Sequence, residues 1–85
     1  MRLRKGRLFI MKTVVVSLDS INDVKNFVNS VNKYEFDVDL VSGRYIVDAK
    51  SIMGIFSLDL SKPITVNIQS DDAQAFLDEI KDYIK

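Results

Sequence analysis

The sequence predicts an α+β fold: an open-faced two-layer sandwich, with a four-stranded, mainly antiparallel sheet carrying three helices on one face. Three observations lead there. Two long segments, one after Ser20 and one after Ser70, repeat apolar residues at helical spacing along a single face. The runs Phe36–Leu40 and Ile64–Gln69 alternate apolar and polar residues, the signature of strands with one face buried. The order of these segments along the chain is β-α-β-β-α-β-α, and two layers let every apolar face find a partner.

Thr13–Leu18 opens the domain as a β-branched, mostly apolar run, expected to be a buried strand, and it stops at Asp19-Ser20. Ser20 followed by Asp23 fits a capping box, in which side chains accept from otherwise unpaired backbone N–H groups. The helix that follows runs to about Lys33, with Ile21, Val24, Phe27, Val28 and Val31 on its apolar face and Asn22, Lys25, Asn29 and Asn32 on the other.

Phe36, Val38 and Leu40 then alternate with Asp37 and Asp39, giving a strand with one acidic, solvated face. Ser42-Gly43 supplies turn residues, and Arg44–Asp48 returns as the second arm of a hairpin. A short helix is expected after Ser51, and Lys62-Pro63 turns the chain into the fourth strand. Ser70 is expected to cap the last helix, with Asp71 and Asp72 in its first turn and Lys81 and Lys85 toward its end, matching the helix dipole. Ala73, Phe76, Leu77, Ile80 and Ile84 form its apolar face.

Composition narrows the chemistry. The 85 residues contain no cysteine and no histidine, which removes disulfides, thiolate zinc sites, the commonest metal ligand and the commonest general base near neutral pH. A metal site or proton shuttle would need carboxylates alone, and none is expected; nor is a cofactor. No convergent acid, base and nucleophile can be assembled, so an enzyme is not expected.

The net charge of zero conceals an asymmetry. Arg2, Arg4, Lys5 and Arg7 lie in the first ten residues, and the remainder holds eight Lys/Arg against twelve Asp/Glu. An acidic body argues against nucleic acid. Residues 1–11 are expected to be a basic, disordered N-terminal extension to a domain spanning 12–85. An electrostatic arm, or translated sequence upstream of Met11-Lys12, remain the other readings. Lys12 interrupts the only apolar run near the start and no small-residue cleavage site follows, against a signal peptide. No stretch is long enough to span a bilayer, and a cytoplasmic protein is expected.

Lys50-Ser51-Ile52-Met53-Gly54-Ile55-Phe56 is the least ordinary segment, with large apolar residues at four of the five positions after Ser51. A helix this short cannot turn all of them inward, so either some form an exposed docking patch or a loop covers them. Ser51 also has two readings. As an N-cap its hydroxyl accepts from a first-turn N–H; as a phosphorylation site it would carry phosphate at the same positive helix end.

The topology, with the run Asp48–Leu58, closely resembles HPr, the phosphocarrier of the bacterial sugar phosphotransferase system. Lys50-Ser51-Ile52-Met53-Gly54 is similar to the regulatory-serine motif of HPr proteins from Gram-positive bacteria, and Phe27-Val28 and Lys33-Tyr34 fall at matching places without gaps. The resemblance covers about residues 12–85. It implies that a dedicated kinase phosphorylates Ser51, that the product binds a transcriptional regulator in catabolite repression, and that Ile52, Met53 and Phe56 form an exposed surface for protein partners.

The resemblance breaks at the carrier's active loop, which in the family reads Gly-Leu-His-Ala-Arg-Pro-Ala. Counting back from Phe27, Ser20 occupies the position of the phosphorylated histidine and Asn22 that of the phosphate-holding arginine. A phosphoserine is a stable ester and a poor donor, so Ser20 cannot relay phosphate. Asp19 or Asp23 would form a reactive acyl phosphate, but Asp23 is expected as a capping partner and no cation lies near either along the chain. Phosphotransfer from phosphoenolpyruvate is therefore not expected. The pattern is closest to Crh-like proteins, which lack the histidine and keep the serine. Two functions remain: a regulatory phosphoprotein acting through Ser51, or a phosphorylation-independent interaction domain on the same scaffold.

Overall fold

Ile64, Val66 and Ile68 are fully buried, while Thr65 and Asn67 between them are not. That alternation makes the strand they form the centre of the molecule. The computed structural model describes residues 12–70 and 72–85, together with the backbone of Leu3–Arg4 and Arg7–Leu8. The elements are β1 (Leu3–Arg4), β2 (Arg7–Leu8), β3 (Lys12–Val16), α1 (Ile21–Val31), β4 (Val38–Ser42), β5 (Tyr45–Asp48), α2 (Ile52–Phe56), β6 (Ile64–Ile68) and α3 (Gln74–Ile80), with a 3-10 turn at Lys81–Tyr83. β1 and β2 pair with each other. The remainder of the expected extension, residues 1–11, lies outside the described residues.

The main sheet runs β3-β6-β4-β5 with every neighbour antiparallel. Its register sets Val14, Val66, Leu40 and Val47 in one row across the four strands, on the face that α1, α2 and α3 cover. The adjacent row on the open face is Val15, Thr65, Val41 and Ile46. This is the two-layer α+β sandwich expected from the pattern of elements.

β3 is narrower in burial than a strand buried on both faces: Val16 is enclosed, but Thr13 and Val15 are exposed on the open face. Ile21, expected on the apolar face of α1, is 62% exposed. It is the first residue of the helix. α1 buries Val24, Phe27, Val28 and Val31, then stops two residues earlier than Lys33. Asn32 Nδ2 donates to Val28 O at 3.0 Å, and Tyr34 N–H turns back to Val31 O at 3.1 Å, tightening the last turn.

The last helix begins later than expected. Ser70 Oγ accepts from Asp72 N–H at 3.0 Å and so closes a turn before the helix. The N-cap is Ala73, without a side-chain bond. Asp71 lies outside the described residues. The helical spacing that included Ile84 also breaks. Ile84 bridges Val16, Ser17 N–H donates to Tyr83 O at 2.8 Å, and Lys85 N–H donates to Val15 O at 2.9 Å. The unpaired backbone of edge strand β3 wins these residues from the helix.

Five aromatic contacts tie the helices together around Phe76. Its ring meets Phe27 at 6.3 Å, Tyr34 at 5.5 Å and Phe36 at 5.9 Å, all edge-on, while Tyr34 stacks on Phe36 at 5.2 Å and Phe27 meets Tyr83 at 6.4 Å. Phe36 therefore belongs to this cluster and precedes β4, which starts at Val38. At the rim, the Glu79 carboxylate accepts from Lys33 Nζ at 2.7 Å and from Tyr34 Oη. The Lys33 bond, then the Tyr34 bond, holds the Glu79 carboxyl below its usual range, and the same contact pushes the Tyr34 phenol up.

Two outcomes follow. Phe76→Ala removes the ring on which α1, α3 and the 34–36 segment converge, and should cost about 3–5 kcal/mol in urea unfolding. The depressed Glu79 carboxyl contributes stability that is present above the ordinary Glu pKa and lost as pH falls through its lower folded value. Glu79→Gln should therefore flatten the acid limb of the stability–pH curve below about pH 5 and change the slope little near pH 7.

Candidate functional site

Two exposed helix starts carry the residues of interest. The first is the loop Ser17–Ser20 between β3 and α1, pinned by the fully buried Leu18. Ser20 is extended, with φ −141° and ψ 165°, so its Oγ reaches forward and accepts from Asp23 N–H at 3.1 Å. Asp23 reaches back, and its Oδ2 accepts from Asp19 N–H at 3.1 Å. Ser17 Oγ donates to Asp19 Oδ1 at 3.2 Å. This is the reciprocal cap expected from the spacing, displaced by one residue, since Asp23 takes the N–H of Asp19 instead of that of Ser20.

Beside it lies a surface cleft of about 410 Å³ lined by Ser17, Asp19, Asp23, Asp82, Tyr83, Ile84 and Lys85. Three of those side chains are carboxylates and one is a lysine, a setting that repels phosphate. Lys85 reaches the cleft from a distant part of the chain and makes no ion pair with Asp19 or Asp23. Among the described residues no group of carboxylates is arranged to hold a metal ion. Asn22 is exposed on α1 and carries no charge into the cleft.

The second site is the start of α2. Ala49 is fully buried, and its N–H continues the β4–β5 ladder by donating to Val38 O at 2.8 Å. Asp48 then organises the exit from the sheet: its Oδ1 accepts from Lys50 N–H at 2.9 Å and its backbone O from Ser51 N–H at 3.0 Å. Ser51 is exposed and extended, and its Oγ accepts from Gly54 N–H at 3.2 Å. A Cβ on Gly54 would stand 3.3 Å from Ser51 Oγ and 3.4 Å from Val47 Cβ. The missing side chain lets this helix sit close over β5 while the serine hydroxyl reaches across its first turn.

The four apolar residues after Ser51 divide. Ile55 is fully buried and Ile52 half-buried against the core, while Met53 is 76% and Phe56 39% exposed. One turn of helix can aim about a third of its circumference inward, and Ile55 takes that direction. Ser57 closes the helix, donating from Oγ to Gly54 O at 2.5 Å. Ser51 thus sits on an exposed surface with Met53 and Phe56 in the turn that follows. Spacing gave no sign of Asp82, Tyr83 and Lys85 in the first cleft, because they arrive there from the other end of the chain.

No curated protein sequence matches this chain. Among solved structures, the phosphocarrier protein HPr from Bacillus anthracis str. Ames superimposes with a TM-score of 0.67 at 29% identity, covering 93% of this chain and 100% of that one. HPr-C-His from Thermoanaerobacter tengcongensis gives a TM-score of 0.70 at 24% identity, covering 84% and 88%, a likeness of fold. The family model described as the PTS HPr component phosphorylation site matches residues 21–85. With that match spanning α1 through the C-terminal turn, and the same sheet and helices in both solved relatives, the chain belongs to the HPr family of the phosphotransferase system, a family of phosphocarriers rather than catalysts.

Proposed function

We propose that this chain is a regulatory, Crh-like member of the family that does not carry phosphohistidine and acts through the surface around Ser51. The observation that carries the reading is the exposed Ser51 hydroxyl beside the exposed Met53 and Phe56. A kinase of the HPr kinase type transfers the terminal phosphoryl group of ATP to Ser51 Oγ, releasing ADP and the hydroxyl proton. The modified face, with Ile52, Met53 and Phe56, then binds a protein partner, a transcriptional regulator in catabolite repression. The phosphate also displaces Ser51 Oγ from its neutral capping role and gives the partner a charged group to read.

The reading of Ser20 follows from chemistry. With no histidine anywhere in the sequence, the labile phosphorus–nitrogen bond has no place to form, and Ser20 serves as the cap of α1. The acidic lining of the adjoining cleft, with Asp19, Asp23 and Asp82, supports a site that does not receive a phosphate. Residues 12–85 are the functional domain in this reading, residues 1–11 an extension to it, and the cytoplasm the compartment.

The alternative is a phosphorylation-independent interaction domain. Two observations favour it: Ser51 Oγ is already engaged by Gly54 N–H, and Asn22 offers no cation where the family has its arginine. In that case Ser51 is only a cap, and Met53 and Phe56 bind a partner directly.

Incubation with an HPr kinase and ATP, followed by intact mass measurement, should add one phosphoryl group to the wild type and none to Ser51→Ala. An unmodified wild type, with the kinase active on a control HPr, sinks the regulatory reading. Loss of the cap alone should cost Ser51→Ala about 1 kcal/mol of stability in either case. Phe56→Asp should abolish partner capture while leaving the fold intact, since that ring is already part-exposed. Equal capture by wild type and Ser51→Ala would favour the alternative.

A further inference from the structure

Asp48 ends β5, and from there the chain leaves the sheet to reach Ser51. The backbone N–H groups along that exit each have a partner. Ala49 N–H donates to Val38 O at 2.8 Å and so still belongs to the ladder. Ser51 N–H donates to Asp48 O at 3.0 Å, and Lys50 N–H donates to Asp48 Oδ1 at 2.9 Å. Of these bonds, the one at Lys50 is supplied by a side chain. It closes the turn in which an aspartate accepts from the backbone two residues on. Beyond it, Ser51 O accepts from Ile55 N–H at 3.1 Å and Ser51 Oγ from Gly54 N–H at 3.2 Å. Ala49 and Ile55 are both fully buried and anchor the two ends of the segment. Between those anchors, the Asp48 side chain fixes the backbone of Lys50.

The same carboxylate is a poor ladder residue. Asp48 stands directly opposite Asp39, and like charges facing each other across a ladder destabilise it. The ion pairs among the described residues are Lys33–Glu79 and Lys62–Asp59, so neither aspartate is neutralised by a cation. Gln69 Nε2 donates to Asp39 Oδ2 at 3.1 Å, which satisfies that carboxylate without removing its charge. Strands also favour β-branched residues over aspartate. A valine at this position would serve the strand better and would offer Lys50 no acceptor.

We infer that Asp48 is the positioning residue of the Ser51 phosphoacceptor, its side chain closing the turn that presents the hydroxyl to a kinase. This role depends on Ser51 being the phosphorylated residue, as proposed. The phosphoryl group passes from ATP to Ser51 Oγ, ADP and the hydroxyl proton leave, and Asp48 takes no part in that exchange. Its contribution is to the fraction of molecules in which Ser51 holds the extended backbone, φ −100° and ψ 103°, that sets it ahead of α2. A kinase that binds this conformer loses apparent affinity in proportion as the conformer is depleted. Once the chain is bound the hydroxyl is presented as before, so the loss falls on KM and spares kcat.

With an HPr kinase and ATP, Asp48→Ala should raise the KM for the protein about three- to tenfold and leave kcat unchanged. Asp48→Asn keeps an oxygen that accepts from Lys50 N–H and should return KM to the wild-type value. Both variants remove the repulsion with Asp39, so both should unfold in urea near or above the wild-type midpoint. Amide hydrogen exchange needs no kinase: Lys50 should exchange faster in Asp48→Ala by a similar factor, and at the wild-type rate in Asp48→Asn. Wild-type KM and Lys50 exchange in Asp48→Ala overturn the inference. So does an Asp48→Asn chain as poor as Asp48→Ala, because the charge and not the bond then matters. A KM that rises only in step with a falling urea midpoint overturns it as well. Those failures leave Ser51 as the phosphoacceptor, whereas a wild type left unmodified by a kinase active on a control HPr removes both.

Discussion

The structure depends on β6 being bonded on both sides while burying one face. Its three inward residues, Ile64, Val66 and Ile68, are the midline onto which all three helices are packed. Its pairing with β3 and β4 sets which residues of those strands face the same way. A slip of one residue in either ladder would turn the core row Val14–Val66–Leu40 out to solvent and the Thr65 row in. Each of the two longer helices, α1 and α3, then needs only a single apolar stripe. Phe27 from α1 and Phe76 from α3 meet over the sheet, and that edge-on contact joins the two halves of the helical layer.

Both candidate sites are built by one local device on this frame. A serine in extended backbone precedes a helix, and its hydroxyl takes the N–H three residues on: Ser20 with Asp23, Ser51 with Gly54. What differs is the residue at that third position. Asp23 adds a carboxylate that returns to the Asp19 backbone, so the start of α1 is both capped and negatively charged. Gly54 adds no side chain and lets its helix come close to Val47, with the Ser51 hydroxyl accepting across the first turn. The carboxylates at the first repel a phosphate; at the second the Asp48 carboxylate accepts from the Lys50 N–H, one residue before Ser51.

The parts of this fold that periodicity encodes were legible in the sequence. These are the two-layer class, the strand alternation at Ile64–Ile68, the core stripe Val24–Phe27–Val28–Val31 and both serine caps. What was not legible depended on competition between elements. Ile84 fits the helical repeat from Ile80, yet a strand edge 68 positions earlier claims it through Val16. Ser70 with acids behind it looks like an N-cap whichever turn it closes. A helix of five residues has too few turns to show a period, so only packing reveals that Ile55 turns inward while Met53 and Phe56 face out. The arrival of Lys85 in the cleft that Asp19 lines is likewise invisible to spacing.

The separation of scaffold from chemistry explains how a family fold persists without the histidine of its relatives' active loop. Ser20 and Asn22 are exposed and contribute nothing to the core cluster, so their identity is almost free of packing constraint, and a serine there even improves the helix cap. Gly54 and Ala49 are not free in that sense. Gly54 has Val47 and Ser51 within contact of any added Cβ, and Ala49 is fully enclosed where the chain leaves the sheet. The segment around Ser51 is therefore held in shape by the fold itself, whereas the loop at Ser20 is held mainly by its own hydrogen bonds. Substitution of Ser20 or Asn22 costs no core packing, whereas substitution of Ala49 or Gly54 does. The fold itself therefore constrains Ala49 and Gly54 more tightly than it constrains position 20.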